Sequence, residues 1–354
     1  MRILLWLLFA IIAALAFMYA YGCLVLSTPR WTGPAGDNFD GRIFRNVPDV
    51  EHRGFGEFLK WRLTREPRPW VYRHRDPAEP PSETIPPGSI RATHVGHATV
   101  LIQAHGLNIL TDPIWSDRAG PFSWAGVRRF EPPGIRFDDL PRIDAVLVSH
   151  NHYDHMDIPT LRMIVKRFNP KIYTTLGNAH FLKSSGIPGA VEMDWWQEAK
   201  LAEGVVLTAL PARHFSARGL CDRDRSLWAS FAIDGPSGLV FFAGDTGFGA
   251  QFEEARTRLG APRLALLPIG SYKPGWFMAP VHLSPDEAVE AFGILEAERA
   301  MAIHFNTFPL GDDAQDEAAE ALAAAIEKAQ IPPEGFVAPS PGTVLDIGPP
   351  EVSD

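Results

Sequence analysis

The chain reads as an α/β fold, and three patterns predict it. Short apolar runs at residues 145–148, 205–210, 239–243 and 300–303 have strand length, and each is followed within four residues by histidine or aspartate. Residues 159–168 place Leu161, Ile164, Val165 and Phe168 on one helical face behind Pro159, and 171–174 is again strand-like. Strand, helix and strand in that order belong to a layered α/β domain. Finally, the polar chemistry collects at the ends of the apolar runs, above all in His150-Asn151-His152-Tyr153-Asp154-His155.

With 354 residues the chain can bury a large core, and its net charge of -9 argues against a nucleic-acid binder. Cys23 and Cys221 are the only cysteines; they offer no disulfide framework and no cysteine zinc site, and leave the redox compartment open. From Ile3 to Thr28 there is no charged residue, longer than the ~20 apolar residues that cross a bilayer. Arg2 and Arg30 bracket the stretch, with Tyr21 and Trp31 where interfacial aromatics sit. Residues 1–28 are therefore expected to be a retained single-pass anchor. The competing readings are a signal peptide, whose apolar core is about 7–15 residues, and lipoprotein-type cleavage before Cys23, which Ala20 disfavours. Orientation stays open, because Arg2 and the group Arg30, Arg42 and Arg45 pull in opposite directions.

Residues 29–88 read as a Pro/Arg-rich juxtamembrane arm. Phe55, Phe58, Leu59 and Leu63 suggest one helix, and the prolines between 67 and 87 exclude regular structure after it. Lys60, Arg62, Arg65, Arg68, Arg73 and Arg75 either hold the protein against anionic headgroups, at about 1 kcal/mol per charge, or form an ordinary solvated arm. A compact domain over 89–354 follows. It should open with a hairpin of two strands, 92–102 and 107–111. His94, His97, His105 and His180 read as structural or exposed, although His97 could approach the histidine motif. Residues 115–129 read as an aromatic loop able to wall a cleft, and 313–330 as a closing amphipathic helix.

Three imidazoles and a carboxylate within six residues do not suit a core, where each unpaired polar group costs about 1–3 kcal/mol. Metal ligation explains them. Neutral imidazole and carboxylate suit zinc, with iron or manganese as competitors. His150 and His152, two apart at a strand end, can face one ion, and Asp154 and His155 a second beside it. Two ions about 3.5–4 Å apart can clamp an in-line displacement. Six residues cannot complete two sites, so distant ligands are required. His214, Asp245 and His304, each just past an apolar run, are the candidates.

The motif His150-Asn151-His152-Tyr153-Asp154-His155 resembles the H-x-H-x-D-H signature of the metallo-β-lactamase superfamily. Pro211-Ala212-Arg213-His214-Phe215-Ser216, Phe242-Ala243-Gly244-Asp245-Thr246-Gly247, Leu267-Pro268-Ile269-Gly270-Ser271-Tyr272 and His282 narrow the likeness. They resemble the branch that hydrolyses N-acyl-phosphatidylethanolamine as a phospholipase D, over roughly residues 89–310. The resemblance implies an αβ/βα four-layer sandwich, here preceded by a transmembrane helix. It also implies two zinc ions, one held by His150, His152 and His214, the other by Asp154, His155 and His304, with Asp245 shared. Asp154 and Asp245 thereby count as catalytic. In Thr111-Asp112-Pro113, the Asp112 carboxylate would support a metal-bound histidine from behind. His282 becomes a candidate for phosphate contact or leaving-group protonation, although it also sits just before a helix start capped by Ser284.

The implied activity is cleavage of N-acyl-phosphatidylethanolamine-like glycerophospholipids to phosphatidic acid and an N-acylethanolamine. Phospholipid and the membrane surface are the partners, nucleic acid is not, and self-association is left open. The alternatives are lactone or β-lactam hydrolysis on the same metals, and a membrane-tethered binding protein with a vestigial site.

Overall fold

The computed structural model describes residues 2–51 and 53–350; the expected segment ends at residues 1 and 354 lie outside the described residues. Helix α1 (Arg2–Tyr21) runs into one π-type turn, Gly22–Leu26, and no side chain of α1 is buried. Within the 25 residues Arg2–Leu26, the most apolar stretch of 18 has a mean hydropathy of 2.6. A helix apolar all round and covered by no protein face is a candidate membrane span.

Helix α2 (Phe55–Thr64) precedes the sandwich. The strands then follow as β1 (Ile90–Gly96), β2 (Thr99–Ala104), β3 (Leu107–Thr111), β4 (Arg118–Phe122), β5 (Ala125–Arg128), β6 (Ala145–Leu147), β7 (Lys171–Thr175) and β8 (Val191–Met193). The second half supplies β9 (Glu198–Ala202), β10 (Val205–Leu210), β11 (Ser230–Asp234), β12 (Val240–Phe242), β13 (Leu264–Pro268), β14 (Arg299–Ile303), β15 (Phe336–Val337) and β16 (Val344–Ile347). Two seven-stranded sheets result, ordered β16-β1-β2-β3-β6-β7-β8 and β15-β14-β13-β12-β11-β10-β9. Each is antiparallel on one side and parallel on the other, from β3 to β8 and from β12 to β15. The parallel portions need crossovers, and helices α3 (Ile158–Phe168), α4 (Ala179–Ser184), α5 (Gln251–Leu259) and α7 (Pro285–Leu295) provide them, with the short α6 (Gly275–Met278) before α7. Helix α8 (Glu317–Lys328) joins the outer layer of the second sheet.

Side-chain alternation explains the four layers. In β6, Ala145 and Leu147 enter the core between the sheets, while Val146 packs outward with Leu161 and Ile164 of α3. In β13, Leu264 and Leu266 face inward, and Ala265 and Leu267 meet α5, α7 and α8. Strands buried on both faces read as unbroken apolar runs, which is why they stand out in the sequence.

Several expectations change. The first hairpin is three strands, because Gly96 (φ 141°) and His97 (φ 57°) break the long run 92–102. Residues 115–129 are not an irregular loop; they form the β4–β5 hairpin. Residues 29–88 pack against the sandwich: Phe39 and Phe44 join Trp228, and the Asn46 amide pairs with the backbone of His214. Trp61 of α2 stacks on Phe277 and donates to Asp312. Two of the six basic side chains serve the domain instead of a membrane, Arg65 pairing with Asp312 and Arg73 with Glu131 and Asp316. Cys23 and Cys221 form a disulfide, with Cα atoms 4.9 Å apart, between residues 198 apart in sequence. Nothing in their spacing signals a contact of that range.

Candidate metal centre

Four strand ends of the two sheets open on one edge. Past β6 comes the loop 149–157 with the histidine motif; past β10, His214; past β12, Asp245; past β14, His304. Backbones meet closely here. Gly244 has φ 60°, and a Cβ on it would lie 2.7 Å from that of Ser149, so only glycine lets β12 deliver Asp245 beside the motif.

The convergence is tight. His150 Nε2 lies 2.8 Å from His152 Nδ1, and His214 Nε2 lies 3.3 Å from the same atom. Asp154 Oδ2 lies 3.1 Å from His155 Nε2 and 3.3 Å from His304 Nε2. Asp245 Oδ2 stands between the groups, 3.2 Å from His155 Nε2, 3.1 Å from His304 Nε2 and 3.7 Å from His214 Nε2. Donor atoms gather into four overlapping groups that could each hold an ion: His150 with His152 and His214; His97 with Asp154, His155 and His304; Asp112 with His150 and His155; and His214 with Asp245 and His282.

The donor set fits metal. Ring nitrogens and carboxylate oxygens suit hard to borderline divalent ions, and no cysteine is involved. Buried His155 Nε2 lies close to two carboxylates yet forms an acceptable hydrogen bond with neither, and Asp245 Oδ1 has no partner either. Buried polar atoms left so need a ligand. Behind the site, Asp112 Oδ2 lies 2.6 Å from His155 Nδ1 and accepts from the Ser149 hydroxyl. The Val281 carbonyl lies 2.9 Å from His214 Nδ1. Both contacts turn the opposite ring nitrogen toward the centre.

Electrostatics point the same way. Burial, then neighbouring imidazoles, push His150 and His214 far below the usual histidine range, and burial takes His152 down to about 4. Burial also opposes charge on Asp154 and Asp245, but His155 and His304 hold both carboxyls low and ionised. Conversely, His155 rises against its burial because Asp154, Asp245 and Asp112 surround it, and beside Asp245 and Asp154, His304 rises to about 9. A cation between them would displace those protons.

Sequence reading underrated His97. Its Nε2 lies 2.8 Å from Asp154 Oδ2, and burial, then His304, lowers it to about 3. The only signal was its place after Gly96 at a strand break. His94 instead stacks on Phe305, His105 accepts from the Ser237 amide, and His180 sits in α4. His282 Nδ1 is buried without a partner, 3.9 Å from Asp245 Oδ2. Ser284 does cap α7, so one short segment does both things.

Over the donors lies a cavity of about 620 Å³ floored by His152, Asp154, Asp245 and His304. Its walls are mostly apolar, with Phe55, Phe58 and Trp61 from α2 and its neighbours Phe277, Met278 and Leu310.

Residues 107–305, more than half of the chain, match the family model described as the Beta-lactamase superfamily domain. The chain belongs to the metallo-β-lactamase superfamily. It is 38% identical over 231 residues to N-acyl-phosphatidylethanolamine-hydrolyzing phospholipase D 1 of Caenorhabditis elegans, covering 62% of this chain and 65% of the relative. It is 34% identical over 227 residues to the mitochondrial N-acyl-phosphatidylethanolamine-hydrolyzing phospholipase D of Saccharomyces cerevisiae, covering 62% and 48%. The chain thus spans less than two thirds of either relative's length. Among solved structures, a metallo hydrolase from Ignicoccus hospitalis superposes with a TM-score of 0.56 at 22% identity, over 73% of this chain and 99% of that one. Within the superfamily the chain is similar to these phospholipase D relatives, and it has the expected α/β sandwich.

Proposed function

We propose that the protein is a zinc-dependent phosphodiesterase that cleaves N-acyl-phosphatidylethanolamine-like glycerophospholipids. The observation that carries this reading is an apolar cavity of lipid-accommodating character set directly over a carboxylate–imidazole cluster. His150, His152 and His214 would hold one ion and Asp154, His155 and His304 the other, with Asp245 as a further carboxylate donor. When bound, the ions supply Lewis acidity for the phosphoryl oxygens and a lowered pKa for water. Asp112 fixes the ring of His155, and His97 fixes the carboxylate of Asp154. In the reaction a water oxygen joins phosphorus and the bond from phosphorus to the ethanolamine oxygen breaks. Phosphatidic acid and, once the alkoxide takes a proton, an N-acylethanolamine leave. His282, kept neutral by a burial that lowers it to about 4, faces this cavity and donates a hydrogen bond to the phosphoryl or leaving oxygen. The walls from α2 and α6 take the acyl chains and exclude water.

Residues 1–28 retain α1 as a single-pass anchor, and the domain over 89–354, with 29–88 folded onto it, stands on the oxidising side of that membrane. The bridge Cys23–Cys221 supports that side, because such bonds persist outside reducing compartments. The test is product analysis on N-acyl phospholipid, a bis-nitrophenyl phosphate and a lactone panel, for wild type beside His152→Ala and Asp245→Asn. Phosphatidic acid from wild type alone is expected. Release unaffected by either substitution, or faster turnover of lactones, would overturn the proposal.

A further inference from the structure

The loop 150–155 sends neighbouring side chains to opposite sides. His152 and Asp154 face the metal cavity, whereas Tyr153 between them lines a second cavity of about 390 Å³. Three arginines meet there from separate parts of the chain: Arg118 on β4, Arg162 on α3, and Arg218 three residues before Cys221. Each spends part of its guanidinium on backbone carbonyls. Arg118 donates to Gly126, Arg162 to Ser185, and Arg218 to Asn151 and Met156. Among the described residues none of the three forms an ion pair. Two carboxylates, Asp117 and Asp157, share the lining, and Asp157 is occupied in accepting from the Ser116 and Thr160 hydroxyls. Positive charge therefore exceeds negative in this pocket.

Its location says what could fill it. Leu26, which closes the apolar span Arg2–Leu26, belongs to the lining. Phe122 at the end of β4 stacks on Tyr21 at the end of α1, with centroids 6.1 Å apart, and on the exposed Trp124. The disulfide, the Thr28 amide on Asp222 and the Asn151 amide on Thr28 Oγ1 pin the span to this place. Headgroup phosphates lie at the level where an apolar helix ends, and arginine beside them is attracted by their charge. Phe122, Ile158 and Phe181 give the same cavity an apolar side, which suits an acyl chain and not a free ion.

We propose that this cavity binds the phosphate of an anionic lipid of the host membrane, a site separate from the one that receives substrate. The proposal rests on the anchor reading of α1, and not on the identity of the hydrolysed bond. Arg218 also braces the metal loop, so Arg118 and Arg162 are the residues to change.

The experiment uses the full, metal-loaded chain in detergent micelles, with native mass spectrometry counting retained phosphatidylglycerol against phosphatidylcholine. Wild type should retain phosphatidylglycerol at least about tenfold better, and Arg118→Gln with Arg162→Gln should lose that preference. Arg162→Glu alone, at an exposed position, should lose it too and guards against misfolding of the double variant. Hydrolysis of a soluble phosphodiester should stay unchanged in all of them. An unaltered preference in the variants would overturn the site. Displacement of the lipid by millimolar inorganic phosphate would overturn the lipid as its occupant. Flotation on neutral phosphatidylcholine vesicles is the separate check on α1: failure to float would remove the basis of the proposal, whereas flotation without headgroup preference would refute the site alone.

Discussion

The candidate metal donors and the N-terminal segment are attached to the same sandwich by different means. His150, Asp245 and His304 come within three residues of the ends of hydrogen-bonded strands, so sheet register sets their positions, while His214, four residues past β10, is held in addition by the Asn46 amide. The described residues of 2–88 add no strand to either sheet. Side-chain plugs hold them, among them Phe39, Phe44 and Trp61, together with arginine pairs and one disulfide. The first arrangement is rigid because moving one donor means breaking a sheet. The second can be cut at most of its contacts while the centre survives, and it is the part that closes the cavity with α2 and joins it to the apolar helix α1. Donor cluster and cavity cover are thus built largely separately, the Asn46 pairing with His214 being the link between them.

That contrast can be broken by substitution. Asp245→Asn should have the largest effect, a loss of about three orders of magnitude in turnover with one or both ions lost; steady-state kinetics beside metal analysis checks it, with the folded state preserved. Cys221→Ser should cost about 2–4 kcal/mol of stability by freeing a very long loop, seen in denaturant unfolding of protein in micelles. Turnover of a soluble phosphodiester should change little, since no strand is disturbed. Asp112→Ala should weaken metal affinity about 10–100-fold by releasing His155, measured by chelator competition. The smallest effect is a pH one. His304 rises from 6.5 to about 9 in the metal-free protein. That protonated ring stabilises the metal-free fold fully below its ordinary pKa, and the contribution is lost as pH rises through about 9. Metal uptake near neutral pH should therefore release protons, which calorimetry in buffers of different ionisation enthalpy would register.

The same division governs what the sequence could reveal. The run 205–210 coincides with β10, the helix expected over 159–168 is Ile158–Phe168, and 171–174 lies within Lys171–Thr175. Buried strands and amphipathic helices are periodic, and the polar residue after each run marks the sheet edge, which is why the donors could be gathered before any coordinates. What escaped depends on contacts without local pattern. His97 gained its place through a backbone break, Trp61 through a partner more than two hundred residues away, and Cys23 through a bridge to Cys221. The aromatic run 115–129 suggested a cleft wall, but its hairpin packs beside the end of α1, where Phe122 stacks on Tyr21.

Counting metal on the purified full chain, with His214→Ala and His304→Ala alongside, tests the dinuclear centre most directly. Two equivalents in wild type, a metal–metal separation of about 3.5–4 Å by X-ray absorption, and loss of metal in each variant are expected. Less than one equivalent, or two that neither substitution disturbs, would contradict it.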